Sequence, residues 1–238
     1  MTRRRWIADE VSGNRAALIG PHADHLTRVL RARVGQEFDI VANTVVCRGR
    51  VAEIKDGRIE FELGEEVPAE PATVQLTVLL AIFKFDRMEW AIEKCTELGV
   101  SRIVPLIARR TDLHLAAASA KRVERWRRIA LQAAEQSRRA NPPEVPDPVK
   151  LRDVLAMTAQ LKTVLSEAEE QSRLQDIVDP QSGGEVLLAV GPEGGWTEDE
   201  LQLFAHSGWH SVSLGSTILR AETAAIAATA ITMSILSR

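Results

Sequence analysis

The amino-acid sequence predicts an α/β fold with a mainly parallel sheet, preceded by a small antiparallel β-barrel. Three observations predict it. "VQLTVLLAI" (Val74 to Ile82) is a strand too apolar to face water on either side, as in a covered parallel sheet. Strands and amphipathic helices alternate from there to the C-terminus. Before residue 64, short β-type runs are joined by a tight Asp-Gly turn. With 238 residues, 45% of them hydrophobic, the chain can bury a substantial core and suits one large domain or a small one plus a medium one.

From Ile7 to Leu63 the pattern is β-type, with strands expected around Phe38 to Val41, Val45 to Ile54 and Arg58 to Leu63, and the turn at Asp56-Gly57. "GEEVPAEPAT", Gly64 to Thr73, has two prolines, three glutamates and no apolar periodicity, and reads as a linker. It separates a first domain, residues 1–68, from a second, residues 74–238. After the Val74 strand, "DRMEWAIEKCTELG" reads as a helix. Asp86 is the candidate N-cap, Glu89 completes a capping-box spacing, Met88, Ile92, Cys95 and Leu98 line one face, and Gly99 stops it. "RIVPLI" follows as a strand, and Ser119 to Arg139 as one long helix. In that helix Val123, Trp126, Ile129 or Ala130, and Ala133 form a packing face, while Lys121, Arg125 and Arg128 share another that could be a solvated face or meet phosphate. The remaining elements are strands in "TVLSEA" and "EVLLAV", a helix over Glu198 to Ala205, a strand in "SVSLG" and a final helix from Glu222 to Leu236.

The net charge of −3 conceals an uneven distribution. Residues 1–50 hold nine Lys/Arg against five Asp/Glu and residues 102–139 ten against three, whereas residues 140–238 hold six against fourteen. An acidic chain can therefore present local positive surface to a polyanion. The longest uncharged run, Thr223 to Ser237, is shorter than the roughly 20 apolar residues of a membrane span, and "MTRRRWIADE" has no apolar signal core, so a cytoplasmic protein is expected. Cys47 and Cys95 form no metal-ligand spacing and read as reduced thiols. His22 and His25, and His206 and His210, lack a third nearby ligand, and no metal is expected.

The most informative stretch is "LLAVGPEGGWTEDELQLF": an apolar run, a glycine turn and a helix start. It lacks the GxGxxG and GxxxxGK[ST] spacings, and several strands precede it, so it cannot be the opening phosphate turn of a dinucleotide fold. It favours close backbone approach to another ligand. A second glycine turn follows in "SVSLGSTILRAETAAIAATAI", with Arg220 and Glu222 just ahead of a small-residue helix. A binding module would explain the basic blocks, but it would not need two such turns flanking a strand. An enzyme using the GPEGG amides for phosphate is a further alternative.

"VGPEGGWTEDE" followed by "LGSTILRAETAA" closely resembles the ribosomal RNA small subunit methyltransferase E family, which belongs to the SPOUT class of knotted enzymes. "KFDRMEWAIEKCTELGV", "AAEQS" and "HLTRVLRARVGQEFDIV" resemble the same family, so the likeness spans nearly the whole chain. The resemblance implies a C-terminal trefoil knot, a PUA-like N-terminal barrel that docks RNA, S-adenosylmethionine as cofactor, and N3 of a uridine in 16S ribosomal RNA as target. Naked small-subunit ribosomal RNA and the assembled 30S subunit both remain open as substrates. It implies that the cofactor is gripped by the loop after Leu165, by Gly191, Gly194 and Gly195, and by Leu214, Gly215, Ile218 and Leu219. Arg220 is then expected to orient the base or stabilise its charge, and Glu222 to accept the N3 proton; the alternative is a structural pair, with Glu222 a helix-start carboxylate favoured by the dipole and bound by the arginine. Arg3, Arg4, Arg28, Arg31, Arg33, Arg125, Arg128 and Arg138 are the expected RNA contacts. A homodimer across the knot is expected, with Ala224, Ala227, Ala228 and Ile231 permitting close helix packing. The chain departs from the family pattern at Thr217, where a basic residue is common, and at Arg138, where glycine is common.

Overall fold

The computed structural model describes residues 5–43, 45–67, 74–137, 139, 141–179 and 184–236. Arg3, Arg4 and Arg138 of the expected RNA contacts lie outside them. The chain divides into two compact units, Met1–Pro71 with Ala134–Asn141, and Ala72–Ala133 with Pro142–Arg238.

In the first unit β1 (Arg5–Ile7), β2 (Glu10–Ser12) and β3 (Arg15–Ile19) lead into a short helix α1 (Pro21–Asp24) and a π-helical turn (His25–Val29), followed by β4 (Glu37–Ala42), β5 (Val45–Lys55) and β6 (Arg58–Glu66). The sheet order is β1-β4-β5-β6-β3-β2, with β1 parallel to β4 and every other pair antiparallel. One continuous stretch thus supplies both edges: Ala8 N–H donates to Val41 O on one side and Asp9 N–H to Ala17 O on the other, both at 2.9 Å. The curled sheet encloses Trp6, Leu18, Leu26, Ile40, Ile59 and Phe61, each no more than 1% exposed. Strand β6 runs on to Glu66, so the first residues of the expected linker, Gly64 to Glu66, belong to the sheet. They are exposed at the end of β6, beyond its pairing with β3, which suits their polarity.

The second unit contains β7 (Val74–Ala81), α2 (Phe85–Glu97), β8 (Arg102–Ile107), α3 (Leu113–Ser119), α4 (Val123–Gln136), β9 (Val149–Lys150), α5 (Leu151–Leu155), β10 (Leu161–Leu165), α6 (Leu174–Ile177), β11 (Gly184–Val190), α7 (Glu198–His206), β12 (His210–Val212) and α8 (Ala221–Leu236). Its sheet is wholly parallel, in the order β12-β10-β11-β7-β8-β9. Both faces are covered, which is why its strands lack polar alternation. Leu76, Val78, Leu80, Val186, Leu188 and Val190 pack into one core with helices α2, α4 and α8, while Leu79, Ala81, Leu187 and Ala189 pack into another with Trp196, Phe204 and Trp209. Each of these valine and leucine side chains contributes about 1.5–3 kcal/mol when fully buried.

The helix ends differ from the sequence reading in three places. Helix α2 begins at Phe85 with Lys84 as N-cap, so Asp86 sits in the first turn, where its charge suits the helix dipole, and makes no cap hydrogen bond. Glu89, expected in a capping box, instead accepts two hydrogen bonds from Arg125 of α4, at 2.6 and 2.7 Å. The long helix expected over Ser119 to Arg139 is α4 preceded by a 3₁₀ turn (Ala120–Arg122) and by α3, which Asp112 caps through His114 and Leu115 N–H. Its packing face is as the spacing predicts, with Val123, Trp126, Ala130 and Ala133 buried and Arg128 exposed.

Cys95 lies on the buried face of α2, its Sγ 3.4 Å from Thr229 Oγ1 of α8. Burial pushes its thiol up to about 11, with the Thr229 contact opposing it more weakly. The folded state therefore resists forming a thiolate that the unfolded chain forms from pH 9 upward. The stability contributed by the neutral thiol is complete below pH 9 and is lost by about pH 11, a fall of about 2–3 kcal/mol. Denaturant melts between pH 8 and 11 should show this loss in the native sequence and not in Cys95→Ala.

Candidate active site

A cavity of about 590 Å³ lies at the C-terminal ends of β10, β11 and β12. Adjacent pairing makes it: Val164 is in register with Ala189, and Leu165 with Val212, so the chain leaves three neighbouring strands at one level. The loops that follow, Ser166 to Ala168, Gly191 to Trp196 and Ser213 to Arg220, line the cavity, and α8 closes it through Ala221 and Ala224. It lies outside the carboxyl ends of parallel strands, the side of an open α/β sheet on which ligand sites form.

The glycine loop is held from several sides. Pro192 O accepts from Gly195 N–H at 2.8 Å, closing a tight turn. Trp196 turns its indole back under the loop and donates from Nε1 to Leu165 O at 3.0 Å, tying it to the end of β10. A Cβ on Gly191 would meet that indole at 3.1–3.2 Å, so a side chain there would press the packed tryptophan aside by a few tenths of an ångström. At Gly195 the requirement is conformational: φ is +67°, a region that β-branched residues strongly disfavour. Arg110 donates from Nη1 to Gly194 O at 2.7 Å and to Trp196 O at 3.3 Å.

A buried carboxylate organises this edge. Glu200, 1% exposed, accepts from Thr197 N–H and Oγ1 at 2.9 and 3.0 Å and from Arg109 N–H at 2.8 Å. It completes the capping box of α7, whose T-x-x-E spacing stands in the sequence as "TEDE". The same contacts fix the backbone beside Arg110. Glu193, four residues before the Thr197 cap of α7, accepts from Arg87 Nη1 at 2.7 Å.

The third loop is laced to the first. Ser213 N–H donates to Ser172 O at 2.9 Å, and Ser213 O accepts from Leu174 N–H at 3.0 Å. Gly215 has φ +132°, Leu214 packs partly into the core, and Ile218 is 79% exposed on the cavity wall. The eight residues expected to hold a cofactor, Leu165, Gly191, Gly194, Gly195, Leu214, Gly215, Ile218 and Leu219, thus all line this one cavity. Arg220 lines it too and is exposed, its carbonyl accepting from Ala224 N–H at 2.8 Å.

Glu222 is placed differently from its expected role. It is 3% exposed and absent from the cavity wall; one oxygen lies 3.8 Å from Arg87 Nε, and Oε2 has no hydrogen-bond partner. Arg87 and Arg110, which sequence reading did not single out, line the cavity beside it. Of the described RNA candidates, Arg28 lies 3.6 Å from Asp24, Arg31, Arg33 and Arg128 are exposed, and Arg125 is committed to Glu89. Ala228, expected at a dimer face, is fully buried within the unit, whereas Ala224, Ala227 and Ile231 are half-buried. Among the described residues no group of three or more His, Cys, Asp or Glu is placed to hold a metal, and no helix is long and apolar enough to cross a membrane.

Glu200→Gln exchanges an acceptor for a donor facing an N–H group. It is expected to cost about 1–3 kcal/mol, read from urea melts, because a buried donor is left unmatched.

Residues 70–233 match the RNA methyltransferase domain family. The ribosomal RNA small subunit methyltransferase E of Rickettsia conorii is 33% identical over 212 residues, covering 88% of this chain and 85% of that protein. Its counterpart from Aquifex aeolicus is 30% identical over 233 residues, 96% of this chain and 98% of that one. Among solved structures, the ribosomal RNA small subunit methyltransferase E of Neisseria gonorrhoeae bound to S-adenosyl methionine matches with a TM-score of 0.86 at 31% identity, over 98% of both chains. Since the domain match takes in all three cavity loops and the likeness runs along almost the entire sequence, the chain belongs to the ribosomal RNA small subunit methyltransferase E family.

Proposed function

We propose that this chain is an S-adenosylmethionine-dependent methyltransferase acting on N3 of a uridine in 16S ribosomal RNA. The observation that carries the reading is the three-loop cavity at the ends of β10, β11 and β12, in a chain whose relative from Neisseria gonorrhoeae is bound to S-adenosyl methionine at 31% identity. The residues fit such a cofactor. The cavity volume is that of a small-molecule site, positive φ at Gly195 and Gly215 keeps the loop backbones free of side chains, and Ile218 offers apolar surface for a ligand to cover. Bound there, S-adenosylmethionine would supply an electrophilic methyl group.

The rest of the chemistry falls to the protein. Uracil N3 carries a proton and is a poor nucleophile, so transfer requires the proton to leave and the charge spreading onto O2 and O4 to be stabilised. Arg220, exposed on the cavity wall, supplies N–H donors for that charge. Glu222 is the carboxylate proposed to take the proton, which requires its side chain to turn from Arg87 toward the cavity.

The same reading makes the N-terminal unit a PUA-like barrel that docks small-subunit ribosomal RNA, free or within the 30S subunit, in the cytoplasm. Its support is the curled six-stranded sheet with exposed Arg28, Arg31 and Arg33. A trefoil knot is supported by Ser213 lying hydrogen-bonded between Ser172 and Leu174, and by α8 packing against α6 and α2 beyond that crossing. A homodimer is supported by the half-buried Ala224, Ala227 and Ile231 on α8. Light scattering at micromolar concentration should give a dimeric mass, and a monomeric one counts against it.

Labelled cofactor incubated with small subunits from a strain lacking the modification should place label on N3 of one uridine, and label elsewhere or nowhere refutes the assignment. A module that only binds RNA leaves the cavity without a purpose and predicts no heat with S-adenosylhomocysteine in calorimetry. Gly195→Val should abolish that heat, because valine strains the loop backbone. Arg220→Ala should keep it and slow single-turnover methylation by about 10²–10³-fold. Parallel loss of binding and rate in Arg220→Ala would make the arginine a brace of the loop.

A further inference from the structure

The segment Arg28 to Val34 in the first unit combines features that packing alone does not account for. It begins in the last two residues of a π-helical turn, a geometry that recurs at functional sites, and Arg31 has φ +51°, the left-handed region that non-glycine residues seldom occupy. Val29, Leu30 and Val34 are 63%, 43% and 65% exposed, three of the eight large hydrophobic side chains exposed among the described residues. Arg31 and Arg33 stand between Leu30 and Val34, Arg28 precedes Val29 and lies 3.6 Å from Asp24, and no carboxylate falls within the run itself.

This ridge is built rather than loose. Leu26 anchors it in the core, Ala32 N–H donates to Leu26 O at 3.0 Å, Gly35 N–H to Val51 O at 2.8 Å, and Gln36 N–H to Arg33 O at 3.0 Å. His25 packs its ring against Trp6 at 5.7 Å beneath it. A pre-ordered backbone that holds apolar side chains in water, interleaved with cations, is shaped for a polyanion that also has flat apolar faces. Unpaired RNA has both. A continuous A-form duplex shows mainly phosphates and hydroxyls, whereas an unstacked base exposes a face that valine or leucine can cover.

We infer that residues Arg28 to Val34 form a wedge that docks an unpaired segment of small-subunit ribosomal RNA, with arginines on phosphates and Val29, Leu30 and Val34 against base faces. The inference rests on the RNA-methyltransferase reading and adds to it the structural class of RNA and an apolar contact. Its test compares Val29→Ser/Val34→Ser with Arg31→Gln/Arg33→Gln in the full chain. Binding to deproteinised small-subunit RNA and to small subunits is measured across a salt series, with S-adenosylhomocysteine calorimetry and thermal melting as controls on folding.

The serine variant should bind the RNA about tenfold more weakly with an unchanged salt slope, as expected when apolar burial is removed and charge is not. The glutamine variant should lower the slope by about 0.7 for each phosphate no longer neutralised. Both should keep the wild-type cofactor affinity and melting temperature. Wild-type RNA binding by the serine variant overturns the wedge, and so does loss of subunit binding with RNA binding intact, which would place a ribosomal protein on the ridge. If the wild-type chain itself binds neither S-adenosylhomocysteine nor RNA, the functional reading falls and the wedge with it.

Discussion

The seating of β10 between β11 and β12 is the constraint on which the cavity depends. These strands are distant in sequence, yet parallel pairing aligns Leu165 with Val212 and Val164 with Ala189, so that the loops after all three leave the sheet together. Moving any one of the three elsewhere in the sheet would part its loop from the other two. The order is held by burial on both faces, since Val186, Leu188 and Val190 pack into one core while Leu187 and Ala189 pack into the other. A slip of one residue in β11 would exchange the two sets and leave both cores mismatched.

Charge is then arranged around that frame in two ways. Glu200 is buried with both oxygens hydrogen-bonded, and it links the start of α7 to the backbone beside Arg110. Glu222 is buried with one oxygen near Arg87 and the other without a hydrogen-bond partner. A fully satisfied carboxylate stiffens its surroundings, whereas a half-satisfied one is the group whose position a ligand or substrate can change. The cavity wall therefore has a stiff side around Gly194 and Trp196, and an electrostatically less settled side around Arg87, Glu193 and the start of α8.

Aromatic packing does the equivalent work in the apolar region. Trp196, Phe204 and Trp209 stack edge to face with centroids 5.0 Å apart in each pair, which joins the glycine loop, α7 and the start of β12 into one block. The indole of Trp196 also spends its N–H on Leu165 O, so the loop that must present bare backbone to a ligand is anchored by the largest side chain within it. Glycine and tryptophan serve one purpose there: the first leaves space, and the second keeps that space in place.

The sequence alone determined the elements and much of the site. Apolar runs bounded by glycine and proline marked β7, β8 and β11 to within a residue or two, three- and four-residue spacing marked the buried faces of α2 and α4, and the two glycine turns located the cavity loops. These are legible because burial pattern and backbone freedom are properties of neighbouring residues. Only the tertiary structure decided partners. Glu89 looked like a local cap and became the partner of Arg125 from another helix; Glu222 was read as a proton acceptor beside the cofactor loops and lies buried against Arg87; Arg87 and Arg110 gave no sign of facing a cavity. Charged side chains are long, and the energy of a pair depends on which element is folded opposite. That is set by strand order, and strand order is written in no single stretch of the chain.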